Sequence, residues 1–213
     1  MANAYKWSNV QVLVQSALAS AKTITAIAVN ATATVTSTSH GYANGDYVLI
    51  SASGMYQVDG RVFRVSATAT NTFVLEGEDT SAYDAFTSGT AKLITFGTTM
   101  TTATGLSAAG GEFDFIDTTT IHTNVRSQIP GLASAANYTF DSLWDPADTG
   151  LVALKTASDS QAQRAIHIKF AGNQRVLFNG YVGATLLPTG NAQDLVKTSV
   201  TLTMFGKPTI YAT

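Results

Sequence analysis

The sequence has no cysteine and little charge. Only 12% of its 213 residues are charged, while 45% are hydrophobic. The absence of cysteine excludes a disulfide framework, a thiolate nucleophile and a cysteine-ligated zinc site. The net charge of −2 argues against tight, sequence-reading contact with nucleic acid, because such contact needs Lys and Arg to neutralise phosphates. No run of 18 apolar residues occurs, so we expect no transmembrane helix.

The N-terminal segment imitates a secretory signal only in part. Ala19, Ser20 and Ala21 resemble a signal-peptidase site, but Gln11 and Gln15 interrupt the apolar region that should precede it. We therefore expect no signal peptide.

Residues that carry chemistry are few. His40 lies in a glycine-rich turn cluster, where a structural or surface role is expected, and His167 lies beside Lys169 on the polar face of a predicted strand, where we expect a solvated histidine. His122 follows Asp117 without further metal ligands at local spacing. No Gly-x-Ser-x-Gly elbow and no phosphate-binding glycine loop is present. We therefore expect a protein that is not an enzyme, with no catalytic, cofactor-binding or metal-binding residues.

Threonine and alanine dominate what is present. The chain holds 32 Thr and 31 Ala, and threonine favours the half-buried surface of a strand. A large Thr-rich surface with little charge suits a protein that packs against copies of itself.

The main periodicity is the two-residue alternation of β-strands. It occurs at Val10–Val14, Ile166–Phe170 and Val196–Met204, where apolar and polar residues alternate. Strands with one apolar face belong to antiparallel sheets. The pattern predicts a mainly β fold, an antiparallel β-sandwich.

One segment predicts a flanking α-helix. Asp145 offers an N-cap carboxylate, Pro146 suits the first helical position, and Asp148 adds an acid to the first turn. We predict a helix over about residues 146–160.

Residues 24–93 form a separate unit in the prediction. Glycine-bounded apolar runs at Tyr47–Ile50, Val62–Val65 and Thr72–Leu75 are typical of a small all-β module. Six acidic and three basic residues give this segment a charge of −3, whereas the remainder carries +1. We interpret it as an insertion in a main domain made of residues 1–23 and 94–213.

The order of motifs in residues 112–206 resembles the tube domain of major tail proteins of long-tailed, non-contractile (siphovirus, lambda-like) bacteriophages. The resemblance rests on EFDFID at 112–117, RSQIPGL at 126–132, YTF at 138–140, LWDP at 143–146, Gly172, Gly180–Gly183 and DLV at 194–196. Residues 24–93 are similar to a small β module that recurs in phage virion proteins.

The resemblance implies a structural protein of the virion tail, made in the host bacterial cytoplasm. Six copies would close into a ring by joining sheets edge to edge, and the rings would stack into a tube. The implied partners are other copies of the chain, a tape-measure protein, other tail proteins, and genomic DNA that passes through the lumen without specific binding. No cofactor and no membrane are implied.

Two sets of residues are assigned within this tube. Residues 118–135 are predicted to form a long loop that links successive rings, and its candidate contact residues are Thr119, His122, Asn124, Arg126 and Gln128. Glu112 and Asp114 alternate with Phe113 and Phe115, so we expect the aromatic residues to face the core and the acids to face the lumen. Alternatively, the acids are ordinary solvated residues or pair with Lys and Arg of a neighbouring subunit.

Three other functions stay open on the sequence. The chain could be a distal-tail, tail-terminator or minor tail protein of the same fold. It could instead bind carbohydrate through Trp7, Trp144 and exposed tyrosines. A glycan hydrolase with scattered carboxylates is the last alternative, since the sequence does not give the distance between those carboxylates.

Overall fold

The computed structural model describes residues 7–212 and is mainly β, as predicted. Strands make up 48% of the structure, and a single α-helix lies among the described residues. The elements in chain order are β1 (Gln11–Val14), β2 (Ala17–Leu18), β3 (Lys22–Ile24), β4 (Ala26–Ile27), β5 (Thr34–Thr36), β6 (Tyr47–Ser53), β7 (Val62–Ser66), β8 (Thr72–Leu75), β9 (Ser88–Thr95), β10 (Thr98–Met100), β11 (Ala103–Ala109), β12 (Phe113–Asp117), β13 (Gln128–Ala133), β14 (Asn137–Leu143), α1 (Thr149–Asp159), β15 (Gln163–Lys169), β16 (Arg175–Ala184) and β17 (Lys197–Tyr211).

Seven strands form the body sheet, in the order β10-β1-β15-β16-β17-β14-β11. All of its pairings are antiparallel. Alternate residues of these strands turn one face toward α1, which contributes Leu151 and Leu154 to the first core. The alternation predicted for Val200 and Leu202 in β17 is confirmed, since both are fully buried there.

The helix begins later than the sequence predicts. Its N-cap is Asp148, whose carboxylate accepts a hydrogen bond of 2.9 Å from the amide of Leu151. Asp145, the predicted cap, lies in the preceding turn and accepts instead from the amide of Ala147. Asp148 also accepts hydrogen bonds from Thr101, which follows β10. This long-range contact selects the second aspartate, and local propensity could not reveal it.

A second sheet carries the residues between β1 and β10. It has the order β2-β9-β6-β7-β8-β5-β4, with β3 also paired to β9. The predicted strands around Tyr47, Val62 and Thr72 are all present in it. Its own core is built from residues such as Ile50, Phe63 and Phe73.

The second sheet is inserted into a hairpin of the body sheet. Val14 of β1 lies opposite Thr98 of β10, although more than 80 residues separate them in the chain. The amide of Gly97 donates to the hydroxyl of Ser16 over 3.0 Å, which holds the entry and exit of the insertion together. The sheet runs from Ala17 to Thr95, slightly beyond the predicted 24–93.

A third apolar cluster joins the two sheets. Val62 and Ile94 of the second sheet pack there against Ala165, Leu177 and Tyr211 of the body sheet. Strand β15 is therefore buried on both faces over four consecutive residues. The prediction of a solvated His167 is wrong, since its side chain lies in this interface and is only 5% exposed.

One further property of the described chain bears on its setting. Within residues 7–212, the single helix is neither long enough nor apolar enough to cross a membrane.

Candidate functional site

Residues 112–134, which we call the arm, stand outside both sheets. The arm consists of β12 and β13, which among residues 7–212 pair only with each other. It continues the β11–β14 pair of the body sheet, because β11 leads into β12 and β13 leads into β14. The arm is therefore the distal half of a long two-stranded ribbon whose proximal half belongs to the body.

Two glycines mark the point where the arm leaves the body. Gly110 and Gly111 have φ angles of +83° and +82°, in the left-handed region that favours glycine. A Cβ at Gly110 would lie 2.4 Å from the carbonyl oxygen of Ala135 on the opposite strand. The close approach of the two strands at this joint therefore requires a glycine.

The apolar side chains of the arm are exposed to solvent. Phe113 is 56% exposed and Phe115 is 64% exposed, so the expectation that they face the core is wrong. That expectation assumed that β12 belongs to the sandwich, but the strand lies beyond the last core residue of β11. In total, seven large apolar side chains are exposed on the arm: Phe113, Phe115, Ile116, Ile121, Val125, Ile129 and Leu132.

The predicted loop over 118–135 is shorter than expected. Residues 128–133 form β13, so the irregular part is the tip loop, residues 118–127, together with residues 134 and 135 between β13 and β14. The missed strand contains Pro130 and Gly131, which read as a turn in the sequence. Their register shift against β12 shows a bulge, a place where a strand tolerates proline.

The tip loop is held by its own hydrogen bonds. The amide of Thr118 donates to the carbonyl of Ser127 over 2.8 Å, and the amide of Ser127 donates to the hydroxyl of Thr119 over 3.1 Å. Hydrogen bonds from the side chain and backbone of Thr119 hold the pKa of Asp117 below its usual range. The loop thus has defined internal contacts at the end of the arm.

The structure brings the predicted ring-contact residues together at this end. Thr119, His122, Asn124 and Arg126 lie in the tip loop, and all are exposed. Gln128 begins β13 and lies opposite Asp117. Their role as contacts between rings stays a prediction.

The body sheet ends in one long open edge. Strand β11 has seven residues and pairs with β14 on one side only, as far as residues 7–212 show. Strand β10, at the other end, has three residues, and the residue that follows it, Thr101, is tied to Asp148 at the start of the helix. An unpaired edge of this kind is a template for pairing with another chain.

The face of the body sheet opposite the helix is divided in two. Near the start of β16 it is covered by the second sheet. Beyond the irregularity between Leu177 and Asn179 it is open to solvent. Two exposed residues of this open half are charged, the acid Asp141 and the base Lys197. Its other exposed residues are uncharged and include Ser107, Tyr181, Gly183, Ser199, Thr201, Thr203 and Phe205.

The remaining histidines have structural surroundings. His40 Nε2 lies 2.9 Å from the carbonyl oxygen of Ala69, and its ring packs edge-on against Phe73 in the second core. The ring of His167 packs against Tyr47 and Phe96 at centroid distances of 5.0 and 5.3 Å. Burial, with the nearby charge of Arg175, lowers the pKa of His167 to about 4. Both side chains support packing.

The sequence pointed to the arm but not to its most distinctive property. Motif order marked residues 112–132, whereas the outward position of Phe113, Phe115 and Ile116 was missed. The signal available was Gly110-Gly111 directly before the strand, a pair that marks a break in a sheet.

Comparison with known proteins identifies the family. No curated protein matches this chain. Residues 53–213 match the family described as phage tail tube protein. The matched region contains the arm, the open edge of β11 and most of the body sheet, and it begins inside the second sheet, at the end of β6. Since the match spans well over half of the chain, this protein belongs to the phage tail tube protein family.

Proposed function

We propose that the chain polymerises into stacked hexameric rings that form the tube of a non-contractile phage tail. Family membership makes it a structural tail tube protein. The observation that carries the proposal is the arm, whose apolar side chains lie outside every core of the monomer. Such a surface is typical of a subunit that is completed by its neighbours.

Ring closure is supported by the shape of the body sheet. The open edge of β11 can continue into the sheet of a neighbouring copy through main-chain hydrogen bonds. A closed ring leaves no edge exposed, which removes the tendency of such sheets to aggregate. The number of six copies is the one that the resemblance implies.

The open half of the body sheet suits the wall of a conduit. Of its exposed residues only Asp141 and Lys197 are charged, and their charges cancel. A wall without net positive charge offers passing DNA no phosphate-binding surface. A register irregularity separates this half from the half that the second sheet covers. Irregularities of this kind bend a sheet, which would let the inserted unit lie outside the wall.

The assignment of Glu112 and Asp114 to the lumen stays a prediction. Its premise, a core position for Phe113 and Phe115, has failed. Replacement of both acids by lysine is its test. If they line the lumen, tubes carrying the substitutions should assemble but eject DNA more slowly at low salt, because each ring gains positive charge.

The proposed activity is passive conduction of DNA, without catalysis. The partners are other copies of this chain, the tape-measure protein inside the tube and the adjoining tail proteins. The protein would be made in the host cytoplasm and function in the virion.

Electron microscopy of the purified chain tests the proposal. We expect hollow tubes with sixfold end-on views at high protein concentration, and a sedimentation profile that shifts from monomer to polymer as concentration rises. Single rings that never stack would indicate a terminator or distal-tail part instead. A monomer at every concentration, together with infected-cell lysates that hold no tubes of this chain, would contradict the proposal.

A further inference from the structure

The two sheets leave a cleft between them that opens to solvent beside the third apolar cluster. Its volume is about 490 Å³. Strands β1, β15 and β16 of the body sheet supply one wall, and strands β6 and β9 of the second sheet supply the other. A molecule bound in this cleft would therefore contact both sheets.

Two bases stand side by side in the wall formed by the body sheet. Lys169 of β15 and Arg175 of β16 lie directly opposite each other in the antiparallel register, and both are half-buried. Cβ atoms at such positions are about 5 Å apart on the same face of a sheet, and like charges there destabilise the pair. The arrangement therefore favours a negative charge between the two side chains.

The acids of the described chain do not neutralise these bases. Across residues 7–212, neither Lys169 nor Arg175 forms a salt bridge. Asp46 is the acid that lines the cleft, and its carboxylate accepts a hydrogen bond of 2.8 Å from a backbone amide of its own turn. Glu76 of the second sheet is paired with Arg64. The two bases of the cleft thus keep a positive charge that these acids leave unpaired.

Polar groups at the base of the cleft also lack partners. Nε of Arg175 and Nε2 of His167 are buried, and neither has a hydrogen-bond partner among residues 7–212. One terminal nitrogen of Arg175 donates to the hydroxyl of Tyr47 over 2.8 Å, which fixes the guanidinium between the two sheets. Burial lowers the pKa of His167, and the charges of Arg175 and Lys169 lower it further, as expected where the local potential is positive.

We propose that this cleft is a binding site for a phosphate group, held between Lys169 and Arg175. A phosphate group carries between one and two negative charges near pH 7 and has several acceptor oxygens, whereas a carboxylate offers a single charge to the two bases. Arginine binds such oxygens through its planar fork, and lysine acts as a point charge. The site lies within one copy of the chain, so it needs no polymer.

Equilibrium dialysis against radiolabelled inorganic phosphate tests the site, with the ionic strength held constant by chloride. We expect saturable binding of one phosphate per chain. Lys169→Gln and Arg175→Gln should each weaken binding by about tenfold or more, because each removes a charge-assisted contact. Lys197→Gln, which removes an exposed base of the open half of the body sheet, is the control and should leave the affinity unchanged.

Lys169→Gln is the decisive variant, because Arg175→Gln also removes the hydrogen bond to Tyr47. Binding that does not saturate, or an affinity that Lys169→Gln leaves unchanged, overturns the inference. Dialysis works on monomer and polymer alike. Failure of the chain to polymerise would therefore contradict the proposed function and not this site.

The unfolding temperature gives a second measurement. Phosphate stabilises many proteins without a site because it is excluded from their surfaces, and this general effect should be the same in the unaltered chain and in Lys169→Gln. A site adds a rise that begins at low phosphate concentration and depends on the bases. Equal rises in the two proteins at every concentration would contradict the site.

Competition by glycerol 3-phosphate distinguishes the two sources of the phosphate group. Displacement of the labelled phosphate would show that the cleft accepts a phosphate monoester and hence the end of a larger molecule. Labelled phosphate that stays bound would identify the inorganic ion as the ligand. Both results uphold the site, and loss of labelled phosphate to an equal concentration of chloride overturns it.

Discussion

His167 shows how a single residue can report the contact between the two sheets. As the alternation along β15 predicts, its side chain lies on the face opposite the first core. That face is not open to solvent, however, because the second sheet covers it. The ring lies among Tyr47 and Phe96, and the cations Arg175, Lys169 and Arg64 are near enough to disfavour its protonation. The interface therefore requires the neutral form.

This requirement predicts a pH-dependent stability. The pKa of His167 is about 4 in the folded chain, below the ordinary 6.5 that it regains on unfolding. Between these values the unfolded chain binds a proton that the folded chain does not, so stability is complete above pH 6.5 and falls as the pH approaches 4. The slope should reach about 1.4 kcal/mol per pH unit.

Denaturant unfolding across pH 4–7 measures this slope. His167→Gln should flatten it, and His122→Gln, at an exposed position in the tip loop, should leave it unchanged. An unaltered slope in His167→Gln would show that other groups cause the dependence.

Asp148 predicts a second residue-scale effect. Burial pushes its pKa upward, but hydrogen bonds from Thr101 and the first helical amides outweigh burial and hold the pKa below its usual range. Asp148→Ala should lower the free energy of unfolding by about 2 kcal/mol, because it removes the cap and the link to Thr101.

Asp145→Ala is the matched control, measured by the same urea titration. Asp145 is exposed and contacts only the nearby amide of Ala147, so a change within about 0.5 kcal/mol is expected. Equal losses in the two variants would contradict the assignment of the cap to Asp148.

At the scale of elements, we expect changes in the arm to affect assembly without affecting the folding of the two sheets. Its strands add no residue to the three cores, so its alteration should leave the body intact. The tip loop closes between Thr118 and Ser127, whose backbone groups are hydrogen-bonded. A two-residue turn can replace the residues between them, because Asn-Gly closes antiparallel strands in this geometry.

Replacement of residues 119–126 by Asn-Gly should yield a folded, soluble subunit that no longer stacks into tubes. The variant removes Thr119, His122, Asn124 and Arg126 while keeping both strands of the arm. Circular dichroism checks the fold, and electron microscopy checks the polymer. Tubes of normal length would show that the tip loop does not link rings.

At the scale of the whole molecule, the insertion of the second sheet predicts a removable unit. Ser16 and Gly97 are hydrogen-bonded, so joining Ser16 to Phe96 leaves a short loop between β1 and β10. The excised chain should fold and assemble once the uncovered Leu177 and Tyr211 are replaced by threonine. A junction at the bounds that the sequence predicts, between Thr23 and Ile94, would leave part of the second sheet behind.

The same threonine substitutions in the complete chain are the control. They should destabilise it, by about 2–5 kcal/mol at Leu177 alone, because there the side chains fill the cluster between the sheets. Unfolding of the excised chain despite the polar replacements would show that the two sheets fold only together.

The sequence by itself determined the β class and several strands of both sheets. These features depend on local patterns. Alternation predicted the buried Val200 and Leu202, and flanking glycines marked the run Tyr47–Ile50. The motif order of residues 112–206 also indicated the tail tube family correctly.

Only the tertiary structure decided which faces of the strands are covered. Alternation shows that Phe113 and Phe115 share a face and that His167 lies opposite Ile166 and Ile168, but it cannot show what lies against each face. The second sheet buries His167, whereas the joint at Gly110 and Gly111 carries the phenylalanines away from the core. Burial depends on contacts between residues far apart in the chain, and local patterns do not contain those contacts.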